Sequence, residues 1–200
     1  MGIITYDIPR MGYILAYRGD NSFFSNQIVK AQLKAGFSGR DACITHVEVS
    51  GGGFDSINIA PPLSELVDIR KENVGRYAYI LRYKNDDYEK RGRYKVAYFS
   101  ATLCNMGYDV MGVLRFIFRW IGQSNRLFFC SEGCAWALRK EYPEVFDGLN
   151  NYEVMPAHFM SDYFEIVWGG EIPKYENIGI FKRLNLWKNS LRGKAKLCLA

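Results

Sequence analysis

The sequence is short of bases and of long apolar runs, and each shortage narrows what the chain can be. It holds two histidines, His46 and His158, in 200 residues. Any imidazole chemistry must therefore be built on one of them. The most apolar stretch, VMGVLRFIFRWIG (110–122), is interrupted by Arg115 and Arg119 and is too short to span a bilayer. The N-terminal segment MGIITYDIPRMGYILAYRG lacks a basic region followed by an apolar one, so no secretory signal is read there. Internal repeats, low-complexity tracts and clear linkers are also missing. Five cysteines, an odd count with no repeated interval, argue against a secreted disulfide framework. Cys43, Cys104, Cys130, Cys134 and Cys198 are read as reduced thiols of a cytoplasmic protein. A phage-encoded protein, or export by a route that leaves no mark in the sequence, is the alternative.

What is present is a globular composition, 48% hydrophobic and 24% charged, which excludes a disordered chain. Aromatics make up 16%, with 14 tyrosines, enough for a thick core edge or a contact surface. The net charge of +5 collects largely in KRLNLWKNSLRGKAKLCLA (182–200). Basic residues do not interleave with aromatics outside that tail, so no nucleic-acid partner is expected. The tail reads as a solvated terminus, with contact to an anionic membrane surface as the alternative. The length suits one domain. Residues 1–145 are expected to form the core, and 146–200 a loop-rich extension packed on the same domain.

Along the chain, YILAYRG (13–19) alternates and stops at a glycine, as a strand does. SFFSNQIVKAQLKAG (22–36) has helical spacing, with Ser22 as N-cap and Gly36 as stop. ITHVEVS (44–50), the run Gly51-Gly52-Gly53 and FDSINIA (54–60) read as a hairpin, ended by Pro61 and Pro62. SELVDIR (64–70) and RYAYILRY (76–83) add strands. Helical periodicity follows over 86–107, 108–122 and 130–142, then loops with a short strand at 163–168. Strands early and helices late predict an α+β domain.

The stretch LFFCSEGCAWAL (127–138) carries two cysteines where an apolar segment enters a helical pattern. Cys130 and Cys134 lie four apart and would share one helix face. A structural zinc wants four ligands at spacings such as C-x-x-C, which this spacing and two distant histidines do not supply. No metal and no cofactor are expected. Cys134, among Ala135, Ala137 and Leu138, reads as a packed core thiol, as do Cys43 and Cys104. Cys130 stands ahead of a helix opened by Ser131 and Glu132. The positive helix end and its free N–H groups favour a thiolate there, and could later stabilise an oxyanion. Position alone leaves nucleophile and core thiol level.

His46 tips the balance. In ITHVEVS, alternation places Ile44, His46 and Glu48 on one side and Thr45, Val47 and Val49 on the other. The next strand puts Ser56 and Asn58 on a common face. An Asn oxygen can hold an imidazole tautomer by accepting its N–H. Glu48 is the alternative orienter, and Ser56 a weaker one.

The order of these pieces resembles a known family. YRG closes a strand (17–19), then come a helix, THV in a strand (45–47), a glycine turn and a strand. YDVMGVL (108–114) and FCSE opening a helix (129–132) complete the series. It resembles the circularly permuted NlpC-type branch of papain-like cysteine hydrolases, which includes the YaeF/YiiX-like bacterial proteins and is related to lecithin retinol acyltransferase. The likeness spans residues 13–140, with a weaker echo in MPAHFMSDYFEIV (155–167). In that branch the histidine strand precedes the cysteine helix, as His46 precedes Cys130. The resemblance implies a permuted papain-like fold, with a mixed or antiparallel sheet packed against the cysteine-bearing helix. It implies a thiol-protease-like hydrolase (peptidase, amidase or acyl hydrolase) or an acyltransferase. Cys130 would be the nucleophile and His46 the base and acid, acting through a thioester on a peptide, cell-wall or lipid amide or ester. Relatives place a glutamate in the strand after the glycine turn. FDSINIA has none, so Asn58 takes that part. Tyr17 and Tyr108 stand in shared motifs and are expected to line the site, although Tyr108 and Asp109 also read as the cap of a buried helix. The competing reading is a catalytically silent papain-like module of a phage or bacterial assembly.

Overall fold

Strand β1 (Ile14–Arg18) is buried on both faces, with Ile14, Leu15, Ala16 and Tyr17 all shut off from solvent. A strand of that kind belongs in the middle of a covered sheet. β1 indeed lies between β2 (Ile44–Gly52) and β5 (Tyr77–Tyr83), antiparallel to both. The computed structural model describes residues 9–112 and 127–173. Within them β3 (Asp55–Asn58), β4 (Glu65–Asp68) and β6 (Phe164–Glu171) complete a six-stranded antiparallel sheet in the order β4-β3-β2-β1-β5-β6. Helices α1 (Phe23–Lys34), α2 (Gly39–Ala42), α3 (Ile69–Glu72), α4 (Arg93–Ala101) and α5 (Cys130–Arg139) accompany it, so the architecture is α+β.

Local chemistry explains most of these boundaries. The Ser22 hydroxyl accepts the amide of Ser25 at the start of α1, and Gly36, at a φ of 96°, ends it. Gly52 and Gly53, with φ values of 99° and 70°, turn β2 into β3. The helix expected over 86–107 is shorter. A π-turn at Tyr88–Gly92 leads into α4, which stops at Ala101. The chain then leaves the helix because its backbone is claimed from elsewhere. The Asn105 amide donates to the Ser64 carbonyl and the Ser64 amide to the Met106 carbonyl, at 2.7 and 2.9 Å. Of the helix expected over 108–122, the described residues show Val110 to Gly112, capped by the Asp109 carboxylate on the Gly112 amide at 2.7 Å. The rest of it, the basic tail and Cys198 lie outside the described residues. No helix among the described residues is long and apolar enough to cross a membrane.

The sheet's pairing makes room for the site. β2 pairs with β1 from Ile44 to Val49, but with β3 only from Val49 onward. Val47 is thus left clear of the β3 ladder, and the first turn of α5 sits there. The Cys134 thiol donates to the Val47 carbonyl at 3.7 Å. Along α5, Cys134, Ala135, Ala137 and Leu138 are fully buried in the main core with Val47, Val49, Leu81 and Tyr88. Cys43 and Cys104, expected in the core, are only half-buried. Cys43 closes the short helix α2, and Cys104 lies at the rim of a small cluster built on Ile57, Ile59 and Leu103.

The segment after Pro143 is tied in by polar contacts. The Gln32 amide accepts from the Ala157 backbone at 2.8 Å and donates to the carbonyls of Ala42 and Ile44 at 2.9 and 2.8 Å. Ser131 donates to the Val154 carbonyl at 2.6 Å. β6, also from this segment, forms one edge of the sheet.

Candidate active site

Cys130 is the first residue of α5, and the N-cap residue Phe129 has no side-chain oxygen to spend on the helix amides. The sulfur uses that opening. It is hydrogen-bonded by the His46 side chain and by the backbone amides of Val47 and Ser131. Only 4% of Cys130 is exposed. Burial pushes its thiol pKa up, but the His46 charge, the imidazole hydrogen bond and the two amides outweigh it and leave the pKa lowered. His46 is the other half of the pair. Burial depresses it, while the Cys130 thiolate and then Glu48 raise it well above the usual imidazole range. The two shifts favour one state, thiolate beside imidazolium.

The second ring nitrogen fixes the imidazole. His46 Nε2 lies 3.1 Å from Glu48 Oε1 and 3.1 Å from Asn58 Oδ1. With Nε2 donating to these two oxygens, Nδ1 is left for the sulfur. Glu48 is wholly buried, and its carboxylate is saturated. Oε1 also accepts from Asn73 Nδ2 at 3.2 Å, and Oε2 accepts from Tyr17 Oη at 3.0 Å and Ser56 Oγ at 2.5 Å. Four donors match the four lone-pair positions of a carboxylate. Burial raises the Glu48 pKa, but His46, Ser56 and Tyr17 pull it below the ordinary value. The group is held as an anion.

Each residue singled out in the sequence can now be placed. Cys130, His46, Asn58 and Glu48 meet directly, and Asn58 and Glu48 share one nitrogen. Ser56 touches Glu48 instead of the imidazole. Tyr17 stacks on His46, with ring centroids 5.8 Å apart and 28° between planes. Burial and the Glu48 charge keep its hydroxyl protonated, so it donates. Tyr108 lies close enough for the Cys130 charge to raise its pKa, after burial itself. His158 is elsewhere, accepting the Met155 amide at 2.9 Å. Among the described residues, no three His, Cys, Asp or Glu side chains gather as metal ligands.

Sequence reasoning missed Asn73 and Arg76. Asn73 ends α3, and Arg76 Nη1 donates to its Oδ1 at 3.0 Å. A four-residue helix has no periodicity to announce it, so Asn73 could not be aimed at Glu48, nor Arg76 at Asn73, in advance.

Shared tenure of Nε2 sets the expectation for Asn58. Asn58→Ala should lower turnover about tenfold, at the small end of the range for losing an orienter, because Glu48 retains the same proton. The measurement is steady-state hydrolysis of an activated ester by folded variant and wild type. A thousandfold loss would make Asn58 the principal orienter.

No family model matches this chain, and no curated protein matches it.

Proposed function

We propose that this protein is a cysteine hydrolase or acyltransferase that opens an amide or ester through a thioester on Cys130. One observation carries the reading. A sulfur at the head of a helix is hydrogen-bonded by an imidazole whose other nitrogen is held by a buried carboxylate. Core thiols have no use for such a base, and structural histidines no need of a charged pair beneath a helix end.

The steps follow from the geometry. The Cys130 thiolate attacks the carbonyl carbon, and the oxyanion develops beside the amide-rich first turn of α5. The His46 imidazolium gives its proton to the leaving amine or alkoxide as the C–N or C–O bond breaks. Neutral His46 then takes a proton from water, or from an acceptor nucleophile, as it attacks the thioester, and the thiolate is regenerated. Glu48 and Asn58 hold the ring through both halves. A peptide, cell-wall or lipid amide or ester is the substrate class we assign.

A permuted papain-like fold is part of the proposal. Its support is the chain order: the base sits on β2, the nucleophile opens α5 more than eighty residues later (46 against 130), and both meet at one end of an antiparallel sheet. The test is capture of the acyl-enzyme. Incubation with p-nitrophenyl acetate should leave an acetyl group on Cys130, located by peptide mass spectrometry and released by hydroxylamine. Acetylation confined to lysines would sink the proposal.

A further inference from the structure

We infer that Arg76 is a positioning residue of the Cys130 site, acting on the imidazole through Asn73 and Glu48. The inference rests on the hydrolase reading above. Arg76 does not touch the reacting atoms. Its Nη1 donates to Asn73 Oδ1 at 3.0 Å, and its Nη2 to the Arg18 carbonyl at 3.3 Å. Its guanidinium carbon stands 5.1 Å from the Tyr17 ring centre. Asn73 is itself buried, 3% exposed, and its Nδ2 donates to Glu48 Oε1 at 3.2 Å.

Two consequences follow. The first is orientational. An asparagine amide has a donor end and an acceptor end, and rotation about its last bond exchanges them. The guanidinium can only donate, so it selects the orientation that puts the Asn73 oxygen toward itself. The Asn73 NH₂ is thereby turned to the carboxylate. Without Arg76, the carboxylate alone would hold the Asn73 NH₂, and the amide, fixed at one end instead of two, would fix Glu48 less firmly beside Nε2.

The second is electrostatic. The site combines a thiolate, an imidazolium and a carboxylate, a buried sum of one negative charge. Arg76 sets a cation against that sum, shared with the Asp20 carboxylate on its other side. Removing a cation raises the pKa of every titrating group near it, so both limbs of the thiolate–imidazolium window should move to higher pH.

The other acidic groups nearby, Asp20 and the buried Asp109 and Glu132, are common to wild type and every Arg76 variant. His46 and Glu48 face Cys130 from β2, Tyr108 from the loop before Asp109, and Cys134 and Glu132 lie on its own helix. Arg76 is faced by Tyr17 and Asp20.

The experiment is the pH dependence of Cys130 carboxamidomethylation by iodoacetamide, followed at the peptide level, in wild type, Arg76→Met, Arg76→Gln and Arg76→Lys. Circular dichroism establishes that each variant is folded. The methionine and glutamine variants should have midpoints roughly half to one pH unit above wild type. The lysine variant, which keeps the cation, should return most of the way. Glutamine serves the comparison should the methionine variant misfold. A folded neutral variant titrating with wild type would overturn the inference, as would a lysine variant displaced as far as methionine. Either result leaves the hydrolase reading standing. A wild-type midpoint in the ordinary thiol range would remove both.

Discussion

Cys130→Ala is expected to form no acyl adduct at that position, and His46→Ala to form one at least about a thousandfold more slowly than wild type. The two losses have different causes. Without the sulfur there is no atom to carry the acyl group. Without the imidazole the sulfur remains, but burial then acts alone with two backbone amides against it, and the thiol keeps its proton. Neither change should unfold the protein. Cysteine to alanine removes one buried atom, and His46 keeps 16% of its side chain at the surface. Combining the two should cost little more than either alone, because paired groups acting as a unit are not additive. Stopped-flow release of p-nitrophenolate gives the rates. A His46→Ala variant acylating within tenfold of wild type would show that some other group takes the proton.

Glu48→Ala should have the largest effect on stability. Four donors now converge on that carboxylate, from His46, Asn73, Tyr17 and Ser56, in a place with no solvent exposure. Truncation leaves them facing a buried space with no acceptor in the place of the carboxylate. The expected loss is roughly 3–5 kcal/mol, the usual consequence of breaking a buried charged network from one side. Glu48→Gln keeps the shape and should cost less, about 1–3 kcal/mol, since its NH₂ meets donors where an oxygen belongs. Its turnover should nonetheless fall by roughly two to four orders of magnitude, because a neutral amide does not stabilise imidazolium. The carboxylate's contribution has a pH signature. Its folded pKa is depressed, so the stabilisation is fully present above the ordinary carboxylate range and is lost as pH falls through the folded value. Chemical denaturation of the three proteins at neutral pH measures the series. A Glu48→Ala protein as stable as wild type would contradict the network as described.

The contrast between these residues shows what a sequence can display. Strands β2, β3 and β5 are legible from period-two alternation, β1 is instead a short apolar run buried on both faces, and the hairpin shows in Gly52 and Gly53, whose φ values only glycine adopts freely. Cys130 stands out because it precedes a helix, and His46 because the chain has so few bases. The division of labour around Nε2 was not legible. Glu48 and Asn58 both alternate toward His46, and deciding between them needs the donors that α3 and its following turn deliver to Glu48. The end of α4 was hidden for a related reason. Its periodicity runs on past Ala101, but Ser64, nearly forty residues earlier (64 against 101), claims the backbone of Asn105 and Met106. Local pattern does not register a partner so distant in sequence.

The central claim is that Cys130 is a thiolate held by His46, and its alkylation rate against pH tests that claim most directly. Wild type should reach half-maximal iodoacetamide labelling of Cys130 well below the ordinary thiol value of about 8.5, while His46→Ala should move to that value or above it. A wild-type midpoint at or above about 8.5, unchanged in His46→Ala, would contradict the account and leave Cys130 an inert core thiol.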